Sequence, residues 1–279
     1  MAIITISRGS MSGGTALAEC LAARLGYPCL SREVLVHTAE TLGISEEALR
    51  AKIHQATNVW GDLRGDRRIY LVALQSVLAD ACVSGDLVYH GNAGHFLLSD
   101  LPNILRVRLI APLSARIRAA MERGRLDYRA ARNYIRYVDQ ERIQWTKFVY
   151  GADWKDPANY DLVINLKDIS IETACDLVAG VVCLPAYVTT PDVRNKLQNF
   201  ALACRVKLAL ATNPKSRNFE FEVRADGGKV ELLGKGVSAG WLGKSGLSEE
   251  DLLSIARTVS GVREVLINPR RKEPLGSAA

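Results

Sequence analysis

Twelve residues near the amino end, ISRGSMSGGTAL (6–17), offer the first chemistry in this chain. An apolar run, Ile3 to Ile6, leads into them, and a helical pattern leads out. A strand, a tight glycine-containing turn and a helix start make an anion site for a definite reason. The first helical amides have no intrahelical acceptor and the helix dipole adds partial positive charge, so phosphate oxygens accept those hydrogen bonds. Gly13 and Gly14 allow the backbone to approach closely. Laid on the pattern GxxxxGK[ST], Gly13-Gly14-Thr15 takes the GK[ST] place, with Ser12 ahead of it and Thr15 as the magnesium-side hydroxyl. Two positions depart: Arg8 stands for the first glycine and Gly14 for the lysine. The same residues suit an ordinary strand-to-helix turn capped by Ser12, and spacing alone leaves the two readings level. Arg8 leaves the strand at the loop, either as a substitute cation for phosphate or as the partner of a neighbouring acid.

A second concentration of chemistry is cationic. The net charge is +6, and between Arg106 and Lys147 eleven Lys or Arg face four Asp or Glu. Such an excess suits anionic small molecules, nucleic acid or a membrane surface without choosing among them. The plain alternative is a solvated helical face. Four histidines and six scattered cysteines show no metal-ligand spacing and no CxxC pair, which reads as reduced, mostly buried thiols rather than a disulfide framework or zinc site.

These residues need a scaffold. A length of 279 residues favours about two domains of roughly 100 to 200 residues each. In the first two thirds, IITIS (3–7), DLVYHG (86–91), NILRVRLI (103–110) and YDLVINL (160–166) alternate with helical stretches, the first helix running from about Ser12 to Leu25. That alternation predicts an α/β domain, a parallel sheet with helices on both faces. Between the first two strands, SREVLVHTAETLG, SEEALRAKIHQ and RRIYLVALQSVLADAC read as helical, with TNVWGDLRGDRR (57–68) as a loop. After Leu184-Pro185 the pattern changes. A helix over about 191–202 precedes strands RVKLALAT (205–212), NFEFEVRA (218–225) and KVELLGKGV (229–237), the last two joined by the hairpin signal Asp226-Gly227-Gly228. Ser248-Glu249-Glu250-Asp251 caps a further helix, and REVLINP closes the domain. The boundary falls near 186–190, and the tail 270–279 reads as disordered. The start MAIITISRGS is read as a strand rather than a secretory signal, and the longest apolar run, 177–184, is short of the ~20 residues that span a bilayer. A cytoplasmic protein with no integral membrane segment is the expectation.

The opening MAIITISRGSMSGGTALAECLAARLGYPCLSREVL resembles that of the cytidylate kinase-like family of P-loop proteins. The resemblance continues through LVYHGNAGHFLLSDLPNILRVRLIAPLSARIRAAMERG and VDQERIQWTKFVYGADWKDPANYDLVINL, so it covers nearly all of 1–185. It implies a nucleoside monophosphate kinase-like architecture with a phosphate loop, a mobile monophosphate-binding region and an arginine-rich lid, working with ATP and Mg²⁺. By position, Ser12, Gly13, Gly14 and Thr15 would line the donor phosphates. Arg116, Arg123 and Arg125 lie where such lids begin, and Asp139 and Arg142 match a family D-x-x-R element. Arginines there would neutralise the transferring phosphoryl group. Three positions depart: Gly14 stands for the lysine of true cytidylate kinases, as in the glycine-rich version typical of this related family, Gly91-Asn92 for a Gly-Arg pair, and Ser31-Arg32-Glu33 for an Asp-Arg-Glu triplet. His90 and His95 flank Gly91-Asn92 and read more readily as structural.

Residues 191–269 resemble a BON domain, a small α+β module, in the hairpin FEFEVRADGGKVELLGKGV and the ending IARTVSGVREVLIN. The resemblance implies binding of an anionic ligand, lipid or protein without catalysis; Lys229, Lys235, Lys244 and Trp241 are candidate contacts. Two functions follow as expectations. One is an ATP-dependent phosphotransferase acting on a nucleotide or related small phosphoacceptor, regulated by the BON module. The other is a catalytically silent nucleotide-binding regulator. A nucleic-acid partner is not expected.

Overall fold

The run Ile3–Arg8 has β-branched and apolar residues at nearly every position, and all but Arg8 are buried. A strand buried on both faces belongs inside a parallel sheet, and that is where this one lies. In the computed structural model, which describes residues 2–41, 43–45, 47, 60–91, 94–99, 101–234 and 247–269, the chain divides into two compact units. One holds Met1–Thr41 with Ala81–Arg194, the other Leu42–Asp80 with Asn195–Ala279. The expectation of 1–185 and 191–269 divides the chain differently, since residues 42–80 group with the carboxyl-terminal residues.

The first unit contains strands β1 (Ile3–Arg8), β2 (Cys29–Ser31), β3 (Leu87–Gly91), β4 (Ile104–Ile110) and β5 (Leu162–Asn165) in the parallel order β2-β3-β1-β4-β5. Register pairs Ser7 with Gly91 on one side and with Arg108 on the other. Helices α1 (Gly14–Leu25) and α6 (Ile171–Val182) cover one face of this sheet. There Leu17, Ala18 and Leu21 of α1 and Ala174, Val178 and Val182 of α6 pack on Ile4, Ile6, Val88, Val107 and Leu109. The 3-10 turn Gly94–Leu98 touches β1, β3 and β4, and a Cβ on Gly94 would overlap the Tyr89 ring. Four strands agree with the sequence reading. The short β2 was not expected, because three residues ahead of a helix carry no period of their own.

The same α1–α6 contact overturns the reading of the cysteines. Cys20 and Cys175 form a disulfide with Cα atoms 6.4 Å apart, and Arg24 pairs with Asp176 one residue away. The two are 155 residues apart in sequence, so spacing held no sign of a pairing made by two helices crossing one sheet face. Of the others, Cys82 and Cys204 are buried, whereas Cys29 and Cys183 are exposed.

Helix α2 (Arg32–Thr41) follows β2 directly. Helix α3 (Trp60–Ala81) begins inside the stretch expected as a loop, whose last nine residues, 60–68, are helical; residues 57–59 lie outside the described ones. A glycine costs a helix only about 1 kcal/mol relative to alanine, so Gly61 and Gly65 do not end one. Most of SEEALRAKIHQ also lies outside the described residues.

In the second unit the segment RVKLALAT is not a strand. It forms the end of the 22-residue helix α7 (Pro191–Thr212). Val206, Leu208 and Leu210 alternate like a strand, but Leu202, Val206 and Leu210 are also spaced by four, and that helical stripe is the buried one. The expected hairpin is present as β6 (Phe221–Asp226) and β7 (Lys229–Gly234), antiparallel, with Gly227 and Gly228 both at positive φ. Helix α8 (Glu249–Arg257) starts with a Ser248–Asp251 capping box, and β8 (Glu264–Pro269) pairs parallel to β7. Lys235, Trp241 and Lys244 and the tail 270–279 lie outside the described residues.

Candidate functional site

The turn between β1 and α1 is closed from inside. Ser12 Oγ donates to the Gly9 carbonyl at 3.0 Å, so it does not cap α1; the N-cap is Gly13, at φ 82°, with no side-chain hydrogen bond. The first intrahelical bond of the turn runs from Leu17 N to the Gly13 carbonyl. The helix therefore begins with its leading amides free of side-chain acceptors, as anion binding requires. Met11 also takes a positive φ of 57°, a strained value for a residue with a side chain and one more sign of a constrained loop. Thr15 sits half-buried in the first turn of α1.

Two helices grip this loop. Helix α4 (Leu113–Gly124) and helix α5 (Tyr128–Tyr150) pack through Ile117, Ala120, Ala131 and Ile135. Ala131 and Ile135 begin a stripe that Thr146 and Val149 continue, and Asp139 and Arg142 fall on it between them. Polar residues on the buried stripe of a helix need partners, and the loop supplies them. Asp139 Oδ1 accepts from Ser10 N at 3.1 Å, and Asp139 Oδ2 accepts from Arg116 Nη2 at 2.6 Å. Arg116 Nε donates to the Ser10 carbonyl at 2.6 Å, closing a triangle around one loop residue. The Arg116 guanidinium also lies against Gly9, 3.3 Å from where a Cβ would stand. Arg142 Nη1 donates to the Arg8 carbonyl at 3.2 Å.

Arg8 lies at the centre. A Cβ on Gly14 would overlap Arg8 Cδ and stand 2.8 Å from its Cγ and Nε, so the arginine stem crosses the helix start. Burial lowers its pKa, the nearby Glu33 and Tyr89 act against that, and Arg123 adds to it. Burial, with the charge of Arg8 beside it, pushes Arg142 down to about 10 against the pull of Asp139. Burial pushes the Glu33 carboxyl up, but its own backbone N–H, the Ser31 hydroxyl, Arg8 and His90 together hold it below its ordinary value. Arg123 thus reaches Arg8 electrostatically from an exposed position, whereas Arg125 is exposed at the C-cap of α4. Among the described residues no hydrogen bond or ion pair brings Arg125 to the loop.

The sequence reading named Arg32 and Glu33 only within a departing triplet and gave them no role. Glu33 and Arg32 open α2 beside β3, where a Cβ on Gly91 would stand 2.6 Å from Arg32 Cβ; Arg32 also depresses Arg142. Their signal was their place, directly after a segment entering the sheet. Also missed was the support behind Ser7. The Tyr160 hydroxyl donates to the Trp154 carbonyl at 2.6 Å and lies 3.2 Å from Ser7 Oγ, and Arg108 stacks over both Trp154 and Tyr160. His95 is structural: it is buried against Phe96 and Tyr160, and burial, then Arg106, lowers it to about 4. His90 shares the neighbourhood of Arg8 and Glu33, and burial followed by Arg8 lowers it.

For a phosphate the residues fit. The buried Arg8 Nε without a partner among the described residues and the uncapped helix start both suit an incoming oxyanion. For Mg²⁺ the donor set is narrow. Among the described residues no group of three or more His, Cys, Asp or Glu could hold a metal, and Asp139 is committed to Ser10 and Arg116. One Thr15 hydroxyl fits an ion that arrives on a nucleotide and keeps its waters and phosphate ligands.

A parallel five-stranded sheet with a glycine-containing turn leaving its central strand, gripped by a helix pair rich in arginine, defines an α/β fold. The chain belongs to the cytidylate kinase-like family, whose sequence profile matches residues 3–168. It is 32% identical over 176 residues to a cytidylate kinase from Methanothermobacter thermautotrophicus, spanning 62% of this chain and 99% of the relative. A cytidylate kinase from Staphylothermus marinus is 28% identical over 181 residues, spanning 64% of this chain and 94% of the relative. In three dimensions the chain is similar to an uncharacterised protein from Eubacterium ventriosum, with a TM-score of 0.52 and 21% identity. That likeness covers 65% of this chain and 98% of the other and bears on the fold alone. Among the described residues no single helix is long and apolar enough to cross a membrane.

Proposed function

We propose that this chain is an ATP-dependent phosphotransferase whose acceptor is a nucleotide or a related small phosphorylated molecule. The observation that carries the reading is the uncapped start of α1 with Arg8 across it, while Arg116, Asp139 and Arg142 hold the loop beneath. On this reading the work is divided among the candidates. The amides of residues 13–15 bind donor phosphate oxygens, Arg8 and Arg142 neutralise charge, and Asp139 and Arg116 position the loop without touching ligand. Arg123 stands near enough to contribute charge; Arg125 would have to move to do so. Magnesium bound with the nucleotide would lower the cost of charge building up on the transferring group. Membership of a family with cytidylate kinases among its relatives supports a nucleoside monophosphate as acceptor.

For residues 191–269 the proposal is a BON-like module that binds an anionic ligand, lipid or protein. Support comes from the order helix, hairpin, helix, strand around its own core of Val206, Leu210, Phe221, Val230 and Leu252.

The deciding experiment measures ATP·Mg²⁺ binding by calorimetry and phosphoryl transfer to a panel of nucleoside monophosphates. Transfer to at least one acceptor is expected. ATP binding without transfer to any acceptor would replace this reading with a catalytically silent nucleotide-binding regulator. No binding of ATP at all would remove both.

A further inference from the structure

Two glycines stand side by side at the start of α1, and they are glycines for different reasons. Gly13 has φ 82°, a conformation that residues with side chains rarely adopt. Gly14 is not among the residues at positive φ, so its backbone would accept any side chain. What forbids one is space: a Cβ there would overlap Arg8 Cδ and come within 2.8 Å of Arg8 Cγ and Nε. The volume from which a lysine at position 14 would extend is filled by the stem of Arg8.

The base of that stem is fixed. Arg8 is the last residue of β1, paired in register with Leu109, and its carbonyl accepts from Arg142. Its Nε is buried without a partner among the described residues. Glu33 is the carboxylate that acts on the head of the side chain, and Arg123 acts on it as an opposing cation. A guanidinium presents a planar fork of donors that matches phosphate oxygens two at a time, whereas a lysine ammonium is a point charge.

We infer that Arg8 performs the work of the missing loop lysine, contacting the donor's terminal phosphates, and that a cation at position 8 and one at position 14 compete for the same space. This rests on the phosphotransferase reading and adds to it the residue that replaces the lysine. It also explains Gly14, which gives up a side chain so that Arg8 can cross.

The test is a reciprocal swap in the full chain: wild type, Arg8→Met, Gly14→Lys, and the double variant Arg8→Ala/Gly14→Lys. Methionine keeps an apolar stem over Gly14 and removes only the cation. Readouts are ATP·Mg²⁺ affinity by calorimetry, kcat and KM for an acceptor that wild type uses, and thermal unfolding. We expect Arg8→Met to be at least as stable as wild type, to lose about tenfold in ATP affinity, and to lose about a hundredfold in kcat, in line with removal of one transition-state donor. Gly14→Lys alone should be impaired because its stem collides with Arg8. The double variant should recover at least tenfold in kcat over Arg8→Met, which a merely structural role for Arg8 would not produce. The inference is overturned if wild type binds ATP and transfers phosphate while Arg8→Met does both equally well. It is also overturned if the folded double variant is no better than Arg8→Met. A wild-type protein that binds no nucleotide would instead remove the function on which the inference stands.

Discussion

Replacing Asp139 by alanine breaks the triangle that joins α5 to the phosphate turn, and its cost can be worked from the structure. Two bonds are lost, Ser10 N to Oδ1 at 3.1 Å and Arg116 Nη2 to Oδ2 at 2.6 Å. Ser10 is 3% exposed, so its N–H is left without an acceptor at about 1 to 3 kcal/mol. Breaking a buried ion pair costs about 3 to 5 kcal/mol, but here the side chains of Arg116 and Asp139 are 13% and 21% exposed and Arg116 keeps its bond to the Ser10 carbonyl. Water reaches the stranded guanidinium, which puts the whole loss at about 2 to 4 kcal/mol. The assay is urea unfolding followed by tryptophan fluorescence, with Trp145 and Trp154 buried in the same unit. Asp139→Asn retains an acceptor for Ser10 N and should lose about half as much. A cycle of Asp139→Ala, Arg116→Ala and both together should give a coupling of about 1 to 3 kcal/mol. A loss below about 0.5 kcal/mol for Asp139→Ala, or strictly additive single changes, would mean that the triangle does not hold the loop.

Two further outcomes follow from the packing. His95 is held at about 4 in the folded protein, well below the ordinary histidine value near 6.5. The unfolded chain therefore binds the extra proton first, and stability falls as pH is lowered from about 6.5 toward 4. His95→Phe, which keeps a ring against Phe96 and Tyr160, should lack that part of the acid loss; parallel stability profiles for the two proteins between those pH values would refute the assignment. Thiol titration of the protein unfolded without reductant should find the four cysteines outside the disulfide, Cys29, Cys82, Cys183 and Cys204, with Cys20 and Cys175 appearing only after reduction. Six reactive thiols before reduction would contradict the α1–α6 pairing.

What the sequence made legible was whatever repeats at short range. Strands β1, β3, β4 and β5 are nearly continuous apolar runs, and the Asp226-Gly227-Gly228 turn names its own hairpin. Where two periods fit one segment, the local reading failed. RVKLALAT satisfies a strand's alternation as well as a helix's spacing of four, and only the core beneath Leu202, Val206 and Leu210 decides between them. The site was legible as a set of residue types but not as a geometry. Nothing in the spacing of Ser10, Arg116 and Asp139 says that the last two bond the carbonyl and the N–H of the first, because that meeting depends on the packing of α4 and α5. The Cys20–Cys175 pairing was hidden for the same reason.

The charge arrangement gives the site its character. Arg8, Arg32, Arg116, Arg123 and Arg142 act on the loop or on one another, and the facing carboxylates named with them are Glu33 and Asp139. Asp139 is committed to Ser10 and Arg116. Burial is the main reason that both Arg8 and Arg142 are shifted downward, and the charge of Arg8 adds to the shift of Arg142. Holding guanidiniums in that state costs folding free energy. A polyanion entering the turn offsets the cost by supplying the missing charge in a partly water-free setting, where each contact is stronger than in water. On the phosphotransferase reading, the departures from the lysine-bearing pattern redistribute positive charge from a flexible ammonium at residue 14 to guanidiniums pinned through Arg8 and Arg142. Phosphate then meets donors that are already in place and need little reorganisation when it binds.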